Sequence, residues 1–274
     1  MSFLKSDFIR EDEIYNSLKS KGYIVLKNFF DENFINDLKN LSILQVENNQ
    51  KERFSFDERQ LSQTVIEEFV NHNEFKSIIK NINKKNSLID LEYNYHYLIN
   101  YSKKKIDAEN LLSFHFDAFL YTIIIPINIR DKKKDEIAMS IEIVPNIRKI
   151  SKSMIINLFQ KFFFQNKFFK KFSNTKFFNT FFKPINIAIK YDEILIFNGF
   201  RSLHSHAISK SNLEKEKMRL IIHLINPFFN NKINNYIFNN IHKQRLKSTK
   251  KYWTKFPIEA YNQDIEGVWY PRKL

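Results

Sequence analysis

The sequence predicts a mainly β core, closed on itself or built of two sheets, with a jacket of helices (α+β). Three observations predict it. The first ninety residues place apolar side chains mostly at helical spacing. From Leu88 the period drops to two. Beyond that, short runs rich in Ile, Phe, Val and Tyr alternate with polar turns. At 274 residues, 43% hydrophobic and 16% aromatic, the chain can bury a sizeable core. There is no internal repeat and no Pro/Gly/Ser-rich linker, so one domain over 1–274 is the simpler reading. It divides into a helical part over about 1–87, a β core over about 88–226 with a Phe/Lys-rich insert at 150–183, and a basic extension over 227–274.

In chain order, residues 8–20 have the pattern of a short amphipathic helix that Gly22 ends, and Tyr23 to Leu26 reads as a strand. Asp31 is placed to cap a helix running to about Leu44, with Phe34, Ile35, Leu38 and Leu41 on one face. Residues 45–60 read as polar loop, and Leu61 to Ile82 as helix in one or two pieces. Leu88 to Tyr101 alternates as a strand does, with tyrosines and Ile99 on one face and Asn94, His96, Leu98 and Asn100 on the other. Leu111 to Ile129 reads as one extended stretch, Ala138 to Val144 as a strand closed by Pro145-Asn146. Ile185 to Ile189, Ile194 to Phe197 and Met218 to Ile225 complete the strands. Over Ile150 to Lys183, phenylalanines interleave with lysines. A helix packed on the sheet, a lid over a site, and an interfacial segment touching anionic lipid all fit that pattern.

Composition narrows the chemistry. With three glycines, neither GxGxxG nor GxxxxGK[ST] occurs, which excludes the usual Gly-rich phosphate loops. With no cysteine there is no disulfide and no thiol chemistry. A net charge of +14 favours an anionic partner, although lysine-rich codon drift on solvated faces would give the same balance. The N-terminus carries charges too early for a signal peptide, and no apolar run approaches the roughly 18 residues of a membrane span. The expected location is cytoplasmic, with peripheral membrane contact through 150–183 as a further reading.

The candidate site begins at His115 and Asp117. On an extended chain, residues two apart point to one face, so an imidazole and a carboxylate project side by side from an apolar wall. They are two thirds of a 2-His-1-carboxylate triad, which holds non-haem Fe(II) and leaves positions open. After the apolar run Ile194 to Phe197 come Asn198, Gly199 and then His204 and His206, either of which could supply the third ligand. His204 lies 87 residues from Asp117, so only folding could unite them. Arg219 stands among apolar residues, where burying a guanidinium is costly without an anion. It could clamp a carboxylate of a dicarboxylic cosubstrate or pair with a protein carboxylate. His223, on the same face, reads as a satisfied core or pocket histidine rather than a ligand.

The order His115-x-Asp117, His204, Arg219 resembles the Fe(II)- and 2-oxoglutarate-dependent dioxygenases, and more narrowly the phytanoyl-CoA dioxygenase-like branch. Gly22 to Asp31 followed by a helix is similar to that branch's opening, Met139 to Asn146 to its strand before a turn, and Asp192 to Phe197 to the strand before its distal histidine. The likeness covers roughly residues 20–226, departing where Pro145-Asn146-Ile147-Arg148 replaces a glycine-serine-histidine turn. It implies a double-stranded β-helix (jelly-roll, cupin-like) core. It implies that His115, Asp117 and His204 (the histidine nearer the strand) bind Fe(II), that Arg219 anchors 2-oxoglutarate, and that Tyr101 and Thr122 help hold it. O2 would be the co-oxidant. A carboxylate at Asp117, where related halogenases carry a small residue, favours hydroxylation. The expected substrate is a small or lipid-linked molecule, anionic with an apolar part, and nucleic acid is not expected. Two rivals are a non-catalytic basic protein binding anionic lipid or nucleic acid, and a cupin-like metalloenzyme that does not use 2-oxoglutarate.

Overall fold

The computed structural model describes residues 3–4, 11–47, 53–57, 61–86, 95–102, 114–130, 132–133, 136–150, 153–173, 175–206, 217–228 and 231–249. Among them, helix α1 (Glu11–Ser20) opens on three acidic residues that favour its positive N-terminal end, and it buries Ile14 and Leu18, one turn apart. Its last turn closes through the amides of Lys21 and Gly22, which both donate to Ser17 O at 2.8 and 3.1 Å. Gly22 takes a left-handed φ of +81°, and a Cβ there would lie 2.8 Å from Pro145 Cβ. Strand β1 (Tyr23–Lys27) leads to α2 (Glu32–Glu47). Asp31 caps α2 as expected, accepting from the amide of Asn33 at 2.9 Å. The helical pattern from Leu61 breaks at His72 into α3 (Val65–Asn71) and α4 (Asn73–Lys85).

Nine strands form two antiparallel sheets among the described residues. The larger has the order β1-β7-β4-β9-β3-β2, with β2 at Arg53–Asp57, β3 at Tyr95–Ser102, β4 at Tyr121–Ile127, β7 at Glu193–Phe197 and β9 at Lys217–Leu224. The smaller is β6-β5-β8, from Ile185–Lys190, Ile137–Val144 and Leu203–His206. One face of the large sheet, with Ile123, Ile125, Ile196 and Leu220, packs on Phe34, Leu38, Phe69 and Phe75 of the helices. The other face, with Ile124, Leu195 and Phe197, meets Met139, Ile141, Ile143, Ile187 and Ile189 of the small sheet. Burying each such side chain contributes about 1.5–3 kcal/mol over leaving it in water. β4 is buried along its whole length because both faces are covered.

Two expectations need correction. Residues 45–60 are not all loop, since Arg53–Asp57 pairs with β3 as the edge strand β2. Leu111 to Ile129 is not one continuous strand. Within it, His115 bridges His204 of the small sheet, the chain bends over 118–120, and β4 then enters the large sheet. The insert forms three short helices between β5 and β6, namely α5 (Met154–Gln165), α6 (Lys167–Ser173) and α7 (Lys176–Phe182). Helix α8 (Lys232–Thr249) follows β9, and the remainder of the basic extension lies outside the described residues.

Candidate metal centre

The backbone brings the two histidines together. The amide of His115 donates to His204 O at 2.9 Å, and that of His204 to His115 O at 3.0 Å, so the two imidazoles leave adjacent chains with ring centroids 4.3 Å apart. Asp117, two residues on, is fixed by its amide donating to Gly199 O at 3.0 Å. Its Oδ1 lies 4.0 Å from His115 Nε2 and its Oδ2 3.6 Å from His204 Nε2. One donor atom from each of the three side chains falls within 4.8 Å of the others. This is the spacing of a site that can close on a metal ion. The site is asymmetric: the His115 side chain is 39% exposed, those of Asp117 and His204 only 11% and 9%. The way in from solvent is past His115.

The surroundings settle how each donor presents itself. His204 Nδ1 is 3.2 Å from Ser202 O, so Nδ1 carries the proton and the Nε2 lone pair is left for a metal. Thr122 Oγ1 donates to Asp117 Oδ2 at 2.5 Å and therefore accepts from His223 Nδ1 at 3.1 Å. His223 Nδ1 is itself 3.8 Å from Asp117 Oδ2. Burial pushes the Asp117 carboxyl up, but the imidazoles of His204, His223 and His115 and the Thr122 hydrogen bond outweigh it and hold the group below the usual carboxylate range. Gly199 answers to close approach: a Cβ there would sit 2.6 Å from Asp117 Oδ2. Nearby, Asn198 Nδ2 donates to Leu18 O at 2.8 Å and to Asn146 Oδ1 at 2.7 Å, tying the turn before His204 to the end of α1.

The large sheet carries the next layer. Phe197, Thr122, His223 and His96 lie in one row across β7, β4, β9 and β3 at the level of Asp117. His223 stacks between His96 and Phe119, with centroids 5.8 and 5.7 Å away, which agrees with a pocket histidine. Arg219 lies two rows further along the same face, between Pro126 of β4 and Asn100 of β3, and burial pushes its guanidinium down to about 10. Tyr101 is opposite Met218 and packs into the core shared with the helices. Strand alternation sets Tyr101 on the face opposite that of Arg219, and its neighbour Asn100 stands on the Arg219 face. Thr122 supports the Asp117 carboxylate through its hydroxyl. The side chain of His206 lies outside the described residues, and His204 is the histidine that joins the cluster.

Arg148, in the turn that departs from the glycine-serine-histidine pattern, was missed as a site residue. It is buried, with its guanidinium 4.0 Å from the Phe116 ring centroid and 4.1 Å from that of Phe200. Nε donates to Phe200 O, and Nη1 to Asn157 Oδ1 and Gln160 Oε1 of α5 at 2.8 and 3.0 Å. Burial pushes it down to about 9 despite the attraction of Asp117. An arginine directly after a turn, followed by a helix bearing Asn157 and Gln160, was the only signal in the sequence.

Two facing antiparallel sheets around a 2-His-1-carboxylate cluster make this a jelly-roll protein with a candidate metal centre. No protein-family model matches the sequence, and no curated protein matches it. Solved structures match its fold. A Pseudomonas putida prolyl-4-hydroxylase superposes with a TM-score of 0.51 at 8% identity, covering 79% of this chain and 100% of that one. The non-heme alpha-ketoglutarate-dependent carbocyclase SnoK of nogalamycin biosynthesis gives 0.47 at 10% identity, over 86% and 93%. The epimerase SnoN, described in complex with Fe3+ and alpha-ketoglutarate, gives 0.49 at 8% identity, over 79% and 83%. The likeness to the hydroxylase shows the mainly β, cupin-like fold expected from the sequence.

Proposed function

We propose that the chain is an Fe(II)- and 2-oxoglutarate-dependent oxygenase, a hydroxylase of the phytanoyl-CoA dioxygenase-like kind acting in the cytoplasm. The observation that carries this reading is the convergence of His115, Asp117 and His204. Two imidazoles and one carboxylate suit ferrous iron and leave coordination positions for other ligands. When bound, iron with 2-oxoglutarate and O2 supplies the oxidising chemistry: one oxygen atom enters the substrate, the other the succinate formed as CO2 leaves.

The chain's own residues orient and exclude. Ser202 and Thr122 fix the donors of His204 and Asp117. Arg219 stands four residues from His223 along β9, about 13 Å of strand. A five-carbon dicarboxylate plus the reach of an arginine side chain spans that interval, and a guanidinium takes a carboxylate by two parallel hydrogen bonds. Phe114 and Phe116, on either side of His115, are buried against the insert and anchor the segment that carries His115 and Asp117. The substrate we propose is an anionic molecule with an apolar part, such as an acyl thioester, a lipid or a lipid-linked sugar acid. The +14 charge and the phenylalanines against Phe114 and Phe116 support it.

Anaerobic Fe(II) and 2-oxoglutarate added to the purified chain should give a weak visible charge-transfer band. Arg219→Ala should lose the band while still binding metal, and His115→Ala should lose both. A chain that binds neither metal nor 2-oxoglutarate overturns the reading. Succinate release measured over acyl thioesters and lipid-linked acids then identifies the substrate.

A further inference from the structure

The insert has two unlike faces. Inward, Phe169 and Phe178 are buried with Phe114, Phe116, Val144 and Leu203, and Phe164 meets Phe116 edge-on at 5.2 Å. Outward, Phe159, Phe162, Phe163, Phe168, Phe177 and Phe181 are each 54–84% exposed. At about 200 Å² per aromatic side chain, they put on the order of 800 Å² of apolar surface into water, more than the ~300–600 Å² patch usual on a monomer. Ring contacts link the two faces: Phe163 to Phe169 at 6.0 Å, Phe169 to Phe172 at 5.8 Å, Phe172 to Phe177 at 5.9 Å and Phe177 to Phe181 at 6.1 Å. Residues 150–183 contain seven lysines and no aspartate or glutamate, half of the chain's net charge of +14. Lys171, Lys176 and Lys183 are exposed.

We propose that the outer face of α5–α7 docks on an anionic lipid membrane. The charge decides the occupant. A second copy meeting this face about a two-fold axis would set lysines against lysines, with no acidic residue in the segment to relieve them. A bilayer surface carrying anionic headgroups takes the lysines at the headgroup level and the rings at the acyl boundary. Among the described residues no helix is long and apolar enough to cross a membrane, so the attachment is peripheral. The inner face of the same insert packs on Phe116, next to His115 in the chain, so docking would hold the insert's covering of that segment at the membrane; any consequence for substrate entry rests on the oxygenase reading. The docking itself does not.

The test is sedimentation of the full chain with vesicles of phosphatidylcholine alone and of phosphatidylcholine with phosphatidylglycerol in equal parts. Binding to the mixed vesicles should exceed binding to the neutral ones more than tenfold and weaken as salt is raised. The double variant F162S/F168S, altered only at exposed positions, should lose more than tenfold in vesicle binding while its Fe(II) titration stays unchanged. Failure to sediment with mixed vesicles overturns the proposal, and so does sedimentation that the double variant leaves intact. A dimer found by light scattering and dispersed by that variant also overturns it, since the face would then belong to a second copy. Metal and 2-oxoglutarate binding are read separately, so either reading can fail alone.

Discussion

A hydroxyl proton can be given only once, and at Thr122 it goes to Asp117 while the oxygen receives from His223. Thr122→Val keeps the shape and removes both bonds, so the carboxylate loses its orienting partner. Metal affinity should fall by about 10–100-fold, as for other outer partners of metal ligands, with the fold retained; isothermal titration with Fe(II) checks it. Gly199→Ala should act more severely, because its Cβ needs the space of the Asp117 carboxylate. That variant should fold and bind no metal, as circular dichroism and the same titration would show. The pH dependence follows from the sign of the Asp117 shift. A carboxyl held below the ordinary value of about 3.9 contributes stability that is complete above that pH and is lost as pH falls through the folded value. In the metal-free chain, Asp117→Asn should flatten the fall of stability below about pH 4, measured by denaturant midpoints. At this scale the sequence disclosed the three side chains that converge but not their support. His115-x-Asp117 announces itself through strand alternation, whereas Thr122 and Ser202 matter only because folding sets them beside Asp117 and His204. Strand periodicity puts Tyr101 and Asn100 on two faces without saying which one looks at the metal.

Between the elements, Arg148 is the joint. Its guanidinium holds the turn at Phe200 on one side and Asn157 and Gln160 of α5 on the other, pressed between two rings. Arg148→Met preserves bulk and leaves Asn157 Oδ1 without that donor. A hydrogen bond to a charged group is worth about 1.5–3 kcal/mol and Arg148 makes three, so a loss of at least about 2 kcal/mol is expected from urea unfolding. Should the stability stay within 0.5 kcal/mol, the usual limit for surface changes, the joint has no such role. The helices α1 and α2 were readable because their signals are local: Asp31 at the cap, Gly22 at the stop, apolar residues one turn apart. β2 was not, because five residues at a sheet edge take their structure from β3. The break between the bridge at His115 and β4 was hidden for a similar reason. One apolar run serves two sheets, and the crossing at 118–120 carries neither glycine nor proline to mark it. The insert's division into three helices follows from Asn166 and Thr175, polar residues that accept the amides of Phe169 and Phe178 and restart the helix each time.

For the whole molecule, the metal would be a clasp between parts the chain keeps far apart. His115 and Asp117 lie on the segment that leaves the small sheet for the large one, and His204 lies on β8, the last strand of the small sheet. Among the described residues these two stretches are joined in the backbone by the bridge at His115, by the Asp117 amide donating to Gly199 O and by the Phe200 amide donating to Leu120 O. An unfolded chain holds no such constellation, so metal binding favours the folded state by mass action. At a metal concentration one hundred times the dissociation constant the gain is about 2.7 kcal/mol. For a domain of this size that raises the melting temperature by roughly 5–10 °C, at about 2–4 °C per kcal/mol. Anaerobic Fe(II) should therefore shift the calorimetric Tm of the intact chain by that amount. His204→Ala should abolish the shift, since the clasp then has nothing to close on in the small sheet. Arg219→Ala should leave the metal shift in place and remove only the further rise on adding 2-oxoglutarate, because the arginine sits two rows from the donors along β9. A metal-induced shift that survives His204→Ala would mean that the ion is held elsewhere, and the centre described by His115, Asp117 and His204 would lose its claim to be the clasp.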